Sequence, residues 1–194
     1  MTEQFIIRSS KGFEVKDEFR KTWTIRHLTK GTVIHERGST NYKTFIILKG
    51  IARSFVYKKG REVTTYFAVD GMPILGIDAF RMPKVQSEYT IELLDDAIVA
   101  EANLDAFYLS LDERPGLCSK YVKALEQEYM NLAMTQIDAR FTTAKERYKS
   151  FASRYPQIMQ KVKRSYIASY LDISLETFSR GRVRWDKEEL PVIG

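Results

Sequence analysis

The segment from Arg164 to Trp185, RSYIASYLDISLETFSRGRVRW, restricts the fold of this chain more than any other stretch. It predicts two short helices joined by a tight corner. Ile167, Ala168 and Leu171 give the first helix an apolar face on which a second helix can cross. Ser174 is a good N-cap for the second helix, because its hydroxyl can accept a free backbone N–H of the first turn.

The second helix of this hairpin combines an inward apolar residue with polar and basic ones. Phe178 is expected to turn inward, and Glu176 falls in the first turn, where the helix dipole favours an anion. Two such helices crossing steeply over a short turn are typical of the helix-turn-helix that enters the DNA major groove. The candidate DNA-binding residues are Ser174, Glu176, Thr177, Ser179, Arg180 and Arg182. A basic helical hairpin without a DNA-binding role gives a similar string, so that alternative stays open.

Two residues depart from the usual pattern of this hairpin. Asp172 stands at the corner where glycine is most often found, although aspartate tolerates left-handed backbone better than most residues. Gly181 lies inside the second helix, where glycine costs about 1 kcal/mol relative to alanine. The sequence leaves open whether these two residues impair the hairpin.

Length and composition indicate a soluble globular protein. The 194 residues suit one ordinary domain, or a medium domain with a small appendage. No apolar run approaches the roughly 20 residues that a membrane helix needs. The N-terminus lacks the apolar stretch of a signal peptide, and the lone Cys118 cannot form an internal disulfide. We therefore expect a cytoplasmic protein that makes no membrane contact.

The net charge of +6 is concentrated towards the end of the chain. Residues 139–187 hold roughly twelve Lys and Arg against about four Asp and Glu, a local charge of about +8. A basic C-terminal quarter on a nearly neutral body fits a DNA-binding appendage on a separate domain. A lysine-rich surface that does not bind DNA has a similar net charge. The charge therefore supports DNA binding only because it lies on the segment that contains the predicted hairpin.

Short runs rich in Val, Ile, Thr, Phe and Tyr follow a first segment, residues 1 to about 20, that is expected to be helix and loop. Glycines punctuate these runs, so they predict the strands of an antiparallel sandwich or barrel. Gly50 joins two of the runs directly and is expected to mark a bend or bulge. The predicted strands are 23–28, 32–35, 44–48, 51–57, 62–69, 89–94 and 98–102.

Helical patterns follow the predicted strands. A short helix is expected over 103–111, and Pro115 opens a long one through about Ile137. Mostly apolar residues on the long helix recur close to a heptad pattern, at Leu117, Tyr121, Leu125, Tyr129, Leu132 and either Gln136 or Ile137. We favour a dimer seam over packing on the chain's own strands. The capping-box spacing from Thr143 to Glu146 predicts a further helix, which ends before Pro156.

This order of elements resembles the Crp/Fnr family of bacterial transcription regulators, relatives of the cyclic-AMP receptor protein. The resemblance rests on GTVI at 31–34, FIILKG at 45–50, AIVAE at 97–101 and the hairpin segments IASYL at 167–171 and ETFSR at 176–180. It implies an α+β fold with an antiparallel β-roll (a double-stranded β-helix like the cyclic-nucleotide-binding domain) over 1–112. A long dimerisation helix over 113–138 and a helix-turn-helix domain over 139–194 are then expected to follow.

The resemblance also implies a function and its partners. The family binds double-stranded DNA as a homodimer, and RNA polymerase is a further expected partner. Glu176 and Arg180 fall on the base-contacting positions, and their chemistry agrees: arginine can grip guanine and glutamate can accept from cytosine. Ser174, Thr177 and Arg182 are better placed for phosphates.

The effector site departs from the family pattern. The family's cyclic-nucleotide cassette uses a Gly-Glu pair for the ribose and an Arg-Ser pair for the phosphate. Gly76 holds the glycine position, but Ile77 replaces the glutamate, and Ser87 and Glu88 stand in place of arginine and serine. A phosphate that meets Glu88 is repelled. We therefore expect no cyclic-AMP binding in the usual way, and an effector that is unknown or absent.

Arg81 and Lys84 are the cations near these positions that could still hold the phosphate of a cyclic nucleotide.

Other sensing chemistries and an enzymatic role are not favoured, and no cofactor is expected. An iron–sulfur cluster needs about four cysteine ligands, and a cupin-type metal site needs several convergent His and carboxylate ligands. The alternative function is a ligand- or partner-binding β-roll that signals through protein contacts and carries a vestigial helix-turn-helix.

Overall fold

The computed structural model describes residues 6–9, 12–15, 21–40, 43–74 and 86–187. The strands are β1 Ile6–Ser9, β2 Gly12–Val15, β3 Thr24–Leu28, β4 Val33–His35, β5 Lys43–Lys49, β6 Ala52–Lys58, β7 Arg61–Ala68, β8 Met72–Ile74, β9 Thr90–Leu93 and β10 Ala97–Asn103. The helices are α1 Leu104–Asp112, α2 Pro115–Phe141, α3 Ala144–Arg154, α4 Pro156–Lys161, α5 Arg164–Tyr170 and α6 Leu175–Trp185. This is the expected α+β order of antiparallel strands followed by helices.

Two four-stranded antiparallel sheets form the body of the protein. The first sheet has the order β3-β10-β5-β8, and the second sheet has the order β4-β9-β6-β7. Residues 24–103, which we call the β-sheet region, enclose an apolar core between the two sheets that includes Phe45, Ile47 and Ile91. Because both sheets are also covered on their outer faces, β5 is buried from Thr44 to Leu48 rather than on alternate residues, and Phe45 to Leu48 form a continuous apolar run.

Helices cover the two outer faces of this sandwich. On the first sheet, Ile46 and Leu48 pack with Trp23 and with Phe107 of α1, and the first turns of α2 join this cluster through Leu117 and Tyr121. On the second sheet, Phe67 belongs to a core that it shares with α3 to α6. The helices that follow α2 are therefore packed against the β-sheet region through a shared apolar core.

Several element boundaries differ from the sequence-based expectations. The expected helix near the N-terminus is wrong, because β1 and β2 pair as an antiparallel hairpin. Strand β8 was not expected; it is three residues long and contains a proline, which hides the usual strand pattern. Helix α2 continues to Phe141, and α4 is an additional short helix that begins directly at Pro156.

Gly50 confirms the expected bend between β5 and β6. Its φ angle is +113°, and a Cβ atom there would lie 2.8 Å from Cβ of Ala97 and 2.9 Å from the Asp96 carbonyl oxygen. The pairing of β10 with β5 shifts register beside this point. Only glycine fits both the backbone angle and the close approach of the neighbouring strand.

No helix within the described ranges has both the length and the apolar character needed to cross a bilayer.

Candidate nucleic-acid interface

The corner between α5 and α6 has the tight geometry that the sequence predicted. Asp172 stands at the corner where glycine is most often found, and it adopts the left-handed conformation with a φ angle of +51°. The N–H of Ile173 donates to the Ala168 carbonyl oxygen at 3.0 Å, which closes the C-terminal end of α5. Asp172 therefore adopts the backbone conformation that the turn requires.

An arginine that the sequence reading missed holds this corner in place. Arg147 of α3 donates from Nε to the Leu171 carbonyl oxygen at 3.0 Å and from Nη1 to the Thr142 carbonyl oxygen at 2.7 Å. These contacts satisfy a carbonyl that the end of α5 leaves without an intrahelical partner. The sequence offered no signal for this role, because Leu171 lies 24 residues from Arg147 along the chain.

The start of α6 is fixed by the predicted cap. Ser174 Oγ accepts the backbone N–H of Thr177 at 3.0 Å, and the hydroxyls of the two residues lie 2.8 Å apart. Glu176 occupies the first turn, as expected. Ser174 and Thr177 are exposed, so their hydroxyls lie at the protein surface where the helix begins.

One face of α6 packs into the protein. Phe178 is fully buried and its ring lies 5.5 Å from that of Tyr148 on α3. Trp185 is buried beside the same tyrosine, with ring centroids 5.2 Å apart. Gly181 is buried between Phe178 and Trp185 on this face, where the indole of Trp185 occupies the space of a side chain. Packing against Trp185 therefore explains why glycine stands at position 181 inside the helix.

The opposite face of α6 carries the predicted base-contacting residues. The side chains of Glu176 and Arg180 are 71% and 76% exposed and form an ion pair one helical turn apart. Arg182 is half-buried with its Nε 3.7 Å from Asp186 Oδ2, and Ser179 is also half-buried. Exposed apolar side chains, Leu175 and Val183, accompany the charged pair and were not singled out from the sequence. The structure thus gathers Glu176 and Arg180 on one solvent-facing surface.

Of the candidate effector residues, Ser87 and Glu88 lie within the described ranges. Ser87 is buried, and its backbone pairs with the loop around Gly38 and Ser39 at 2.7 and 2.9 Å. Glu88 is exposed and forms an ion pair with Arg37 at 3.3 Å. The remaining candidates, Gly76, Ile77, Arg81 and Lys84, lie outside the described residues.

Helix α2 presents a long apolar surface beyond its first turns. Leu117 and Tyr121 pack on the β-sheet region, and burial raises the pKa of Tyr121 to about 12. Farther along, large apolar side chains are exposed at Val122, Leu125, Tyr129, Met130, Leu132, Met134, Ile137 and Phe141. Packing on the β-sheet region therefore accounts for the apolar residues in the first turns of α2. No other part of the described chain covers most of the apolar side chains farther along α2.

Comparison with known proteins gives a clear match in structure and none in sequence. No protein-family model matches the chain, and no curated protein matches it by sequence. The structure of a CooA mutant from Carboxydothermus hydrogenoformans superposes with a TM-score of 0.67 at 15% identity, over 90% of this chain and 80% of that one. FixK2 from Bradyrhizobium japonicum superposes with a TM-score of 0.68 at 18% identity, over 84% of each chain.

A protein from Eubacterium rectale assigned to the crp/fnr family of transcriptional regulators gives a TM-score of 0.66 at 18% identity. The match covers 89% of this chain and 84% of that one. These matches span strands and helices together, in the order in which both occur here. The resemblance that the sequence motifs suggested is therefore confirmed at the level of structure: this chain has the fold of the Crp/Fnr family regulators.

Proposed function

We propose that this protein is a sequence-specific DNA-binding transcription regulator of the Crp/Fnr type that acts as a homodimer in the cytoplasm. The observation that carries the proposal is the two-sided character of α6. Phe178 and Trp185 anchor one face, while Glu176 and Arg180 stand in solvent on the other. A helix held in this way can enter a major groove without rearranging its own packing.

The proposed chemistry assigns separate roles to the exposed residues of α6. Arg180 donates to O6 and N7 of a guanine, and Glu176 accepts from N4 of a neighbouring cytosine. Their ion pair in the free protein is solvent-exposed, and such pairs contribute about 0.5 kcal/mol, so exchanging it for base contacts costs little. Ser174, Thr177 and Arg182 contact phosphates, which fixes the position of the helix without reading sequence.

The proposed division of the chain keeps the sequence-based boundaries, the second of which falls inside the last turn of α2, since this helix ends at Phe141. Residues 1–112 form the β-roll, 113–138 the dimerisation helix and 139–194 the DNA-binding domain. The exposed apolar side chains of α2, such as Tyr129 and Ile137, form the seam with a second copy. A dimer places two copies of α6 on one duplex, each in its own half-site. RNA polymerase is the expected partner at the promoter.

The β-roll works without cyclic AMP in this proposal. Glu88, at the position of the family's phosphate-binding pair, is exposed and engages the guanidinium of Arg37, so a phosphate has to compete with this carboxylate for the nearby cation. The effector is a different ligand or none. The alternative of a signalling β-roll with a vestigial hairpin rested on Asp172 and Gly181. Asp172 adopts the left-handed conformation of the turn and Gly181 packs against Trp185, so neither residue argues for that alternative.

Selection of duplexes from a random DNA pool by the full-length protein, with no ligand added, tests the proposal. We expect a palindrome whose half-sites lie about one helical turn apart. Binding that depends on salt but enriches no sequence would reject base reading under these conditions. An absence of binding to any duplex would instead favour the partner-signalling alternative.

A further inference from the structure

A buried arginine lies where the second sheet meets the helices. Arg53 of β6 is 1% exposed. Its Nε donates to Glu92 Oε1 of β9 at 2.6 Å, its Nη1 donates to Thr64 Oγ1 of β7 at 3.3 Å, and its Nη2 forms an ion pair with Glu62. All three partners belong to the β-sheet region, so the position and plane of the guanidinium are set by the strands.

Two aromatic rings lie against this guanidinium. The ring centroid of Phe55, also on β6, lies 4.1 Å from Arg53 Cζ. The ring centroid of Tyr166, on α5, lies 3.4 Å from the same atom. Arg53 therefore has its hydrogen bonds on the strands and one face on the first helix of the helix pair α5–α6. This stacking connects the two parts of the chain directly.

Other contacts reinforce the same junction. The backbone N–H of Thr64 donates to Ser169 Oγ of α5 at 3.1 Å, and the rings of Phe67 and Tyr170 lie 5.2 Å apart. Lys161 Nζ of α4 donates to Asp95 Oδ2 at 2.5 Å. Helix α5 thus touches the β-sheet region along its length, and α6 follows after only a short turn.

The chemistry of Arg53 suits positioning better than general stabilisation. Burying a charge is costly even when it is paired, and a well-packed apolar residue of similar size often gives equal or greater stability. A planar guanidinium held by several partners, however, accepts an aromatic ring in only a narrow range of positions. The ring of Tyr166 is thereby held over one point of the second sheet, and α5 can neither slide nor rotate without losing the stack.

We propose that Arg53 is a positioning residue for DNA recognition, a role that rests on the proposed function. Through Tyr166 it fixes the orientation of α5, and hence of α6, relative to the β-sheet region and the long helix α2. In a dimer joined along α2, this orientation sets the separation of the two copies of α6. Arg53 therefore determines which half-site spacing the protein accepts, without touching DNA.

The spacing between half-sites is the readout that tests this role, because a loss of stability alone does not alter it. Random-pool selection is repeated with full-length Tyr166→Leu, which removes the aromatic face and leaves the ion cluster of the β-sheet region intact. Tyr166→Phe is the matched control, since it keeps the ring and loses only the 3.4 Å contact between the hydroxyl and Lys163 Nζ. We expect one spacing for the wild type and for Tyr166→Phe, and several spacings for Tyr166→Leu.

Affinity measurements complete the test. A desolvated cation–π contact shifts an equilibrium by about 30-fold, so Tyr166→Leu should lose about that much affinity for the site with wild-type spacing. Its affinity for a duplex with a single half-site should stay within about twofold of the wild type, because α6 itself is unchanged. Arg53→Lys is the second variant, should Tyr166→Leu fail to fold. It keeps a cation between Glu62 and Glu92 but loses the planar stack, and should also relax the spacing.

The outcomes separate this inference from the proposed function. A single wild-type spacing in either folded variant would overturn the positioning role and leave the regulator proposal standing. Failure of the wild-type protein to select any palindrome would instead count against the proposed function, and the positioning role would fall with it.

Discussion

Gly181 and Trp185 are fitted to each other on the buried face of α6. A Cβ atom built at Gly181 would overlap three ring carbons of the Trp185 indole, which lies one turn farther along the same helix. The indole in turn packs against Tyr148 of α3. The glycine is therefore the complement of the tryptophan, and together they let the second helix of the pair lie close to α3.

Gly181→Ala should destabilise the protein, although alanine is the better helix former. Overpacking a filled site costs about 1–3 kcal/mol, which outweighs the roughly 1 kcal/mol gained in helix propensity. Gly116→Ala is the control, because a Cβ atom at Gly116 in α2 meets no other atom within 4 Å. Denaturant unfolding of both variants measures the difference. A Gly181→Ala protein at least as stable as the wild type would contradict the packing explanation.

Arg180→Ala should weaken binding to the selected operator by about 1–3 kcal/mol and relax the preference at one base pair. The physical reason is the loss of a bidentate contact to guanine. Arg182→Ala should reduce binding to operator and random DNA alike, since a phosphate contact carries no sequence information. Fluorescence anisotropy with both duplexes measures the two effects. Equal losses of Arg180→Ala on both duplexes would exclude its base-reading role.

Tyr129→Glu should convert a dimer of this 22.6 kDa chain to a monomer. Tyr129 is 71% exposed on α2, at the centre of the apolar stripe. An unpaired carboxylate buried in a subunit seam costs about 3 kcal/mol, which weakens association roughly 100-fold. Leu109→Glu on α1, which replaces another exposed apolar side chain, is the control and should stay dimeric. Sedimentation equilibrium gives the masses, and a dimeric Tyr129→Glu protein would place the seam elsewhere.

The sequence was sufficient for those parts of the fold in which local chemistry decides the structure. Strand texture located the two sheets, the Ser174 and Thr143 caps located two helix starts, and Phe178 indicated which face of α6 is buried. The β1–β2 hairpin was missed in a segment that was expected to be helix and loop, and β8 was missed because it is short and contains a proline.

The missing part of the candidate site consists of specific side-chain contacts. Arg147 gives no sign in the sequence that it binds carbonyls at the turn after α5, and Arg53 gives none that it stacks on Tyr166. The sequence analysis considered only the helix propensity of Gly181, whereas the packing of the Trp185 indole explains why glycine stands there. Local rules predict helix caps and buried faces, but they do not predict which side chain fills a given space.

Cyclic AMP should give no saturable heat in isothermal titration calorimetry. Glu88 stands at the candidate phosphate position and engages Arg37 at 3.3 Å, so a phosphate would have to displace this carboxylate to reach the guanidinium. Titration of the same preparation with the selected operator duplex is the control for active protein. Tight binding of cyclic AMP with one site per chain would show that other cations in the β-roll hold the phosphate.

Stability should fall as the pH rises above 10, and Tyr121 should contribute to that fall. Burial against α1, where its ring lies 5.2 Å from that of Phe107, raises the pKa of Tyr121 from 10.0 to about 12. The unfolded chain therefore loses the phenolic proton first. The stabilisation is fully present below pH 10 and is lost as the pH rises from about 10 to about 12.

Tyr121→Phe should remove this contribution, so that the midpoint of urea unfolding falls less than in the wild type between pH 9 and pH 11. These two values lie about one pH unit on either side of the pKa of tyrosine in the unfolded chain. Tyr148 adds a dependence of the same sign that remains in this variant, since burial and its hydrogen bond to Asp186 raise the pKa of its phenol. Tyr57→Phe, at an exposed position, is the control and should follow the wild-type profile. An identical decline in Tyr121→Phe and the wild type would mean that the Tyr121 phenol is ionised as readily in the folded protein as in the unfolded chain.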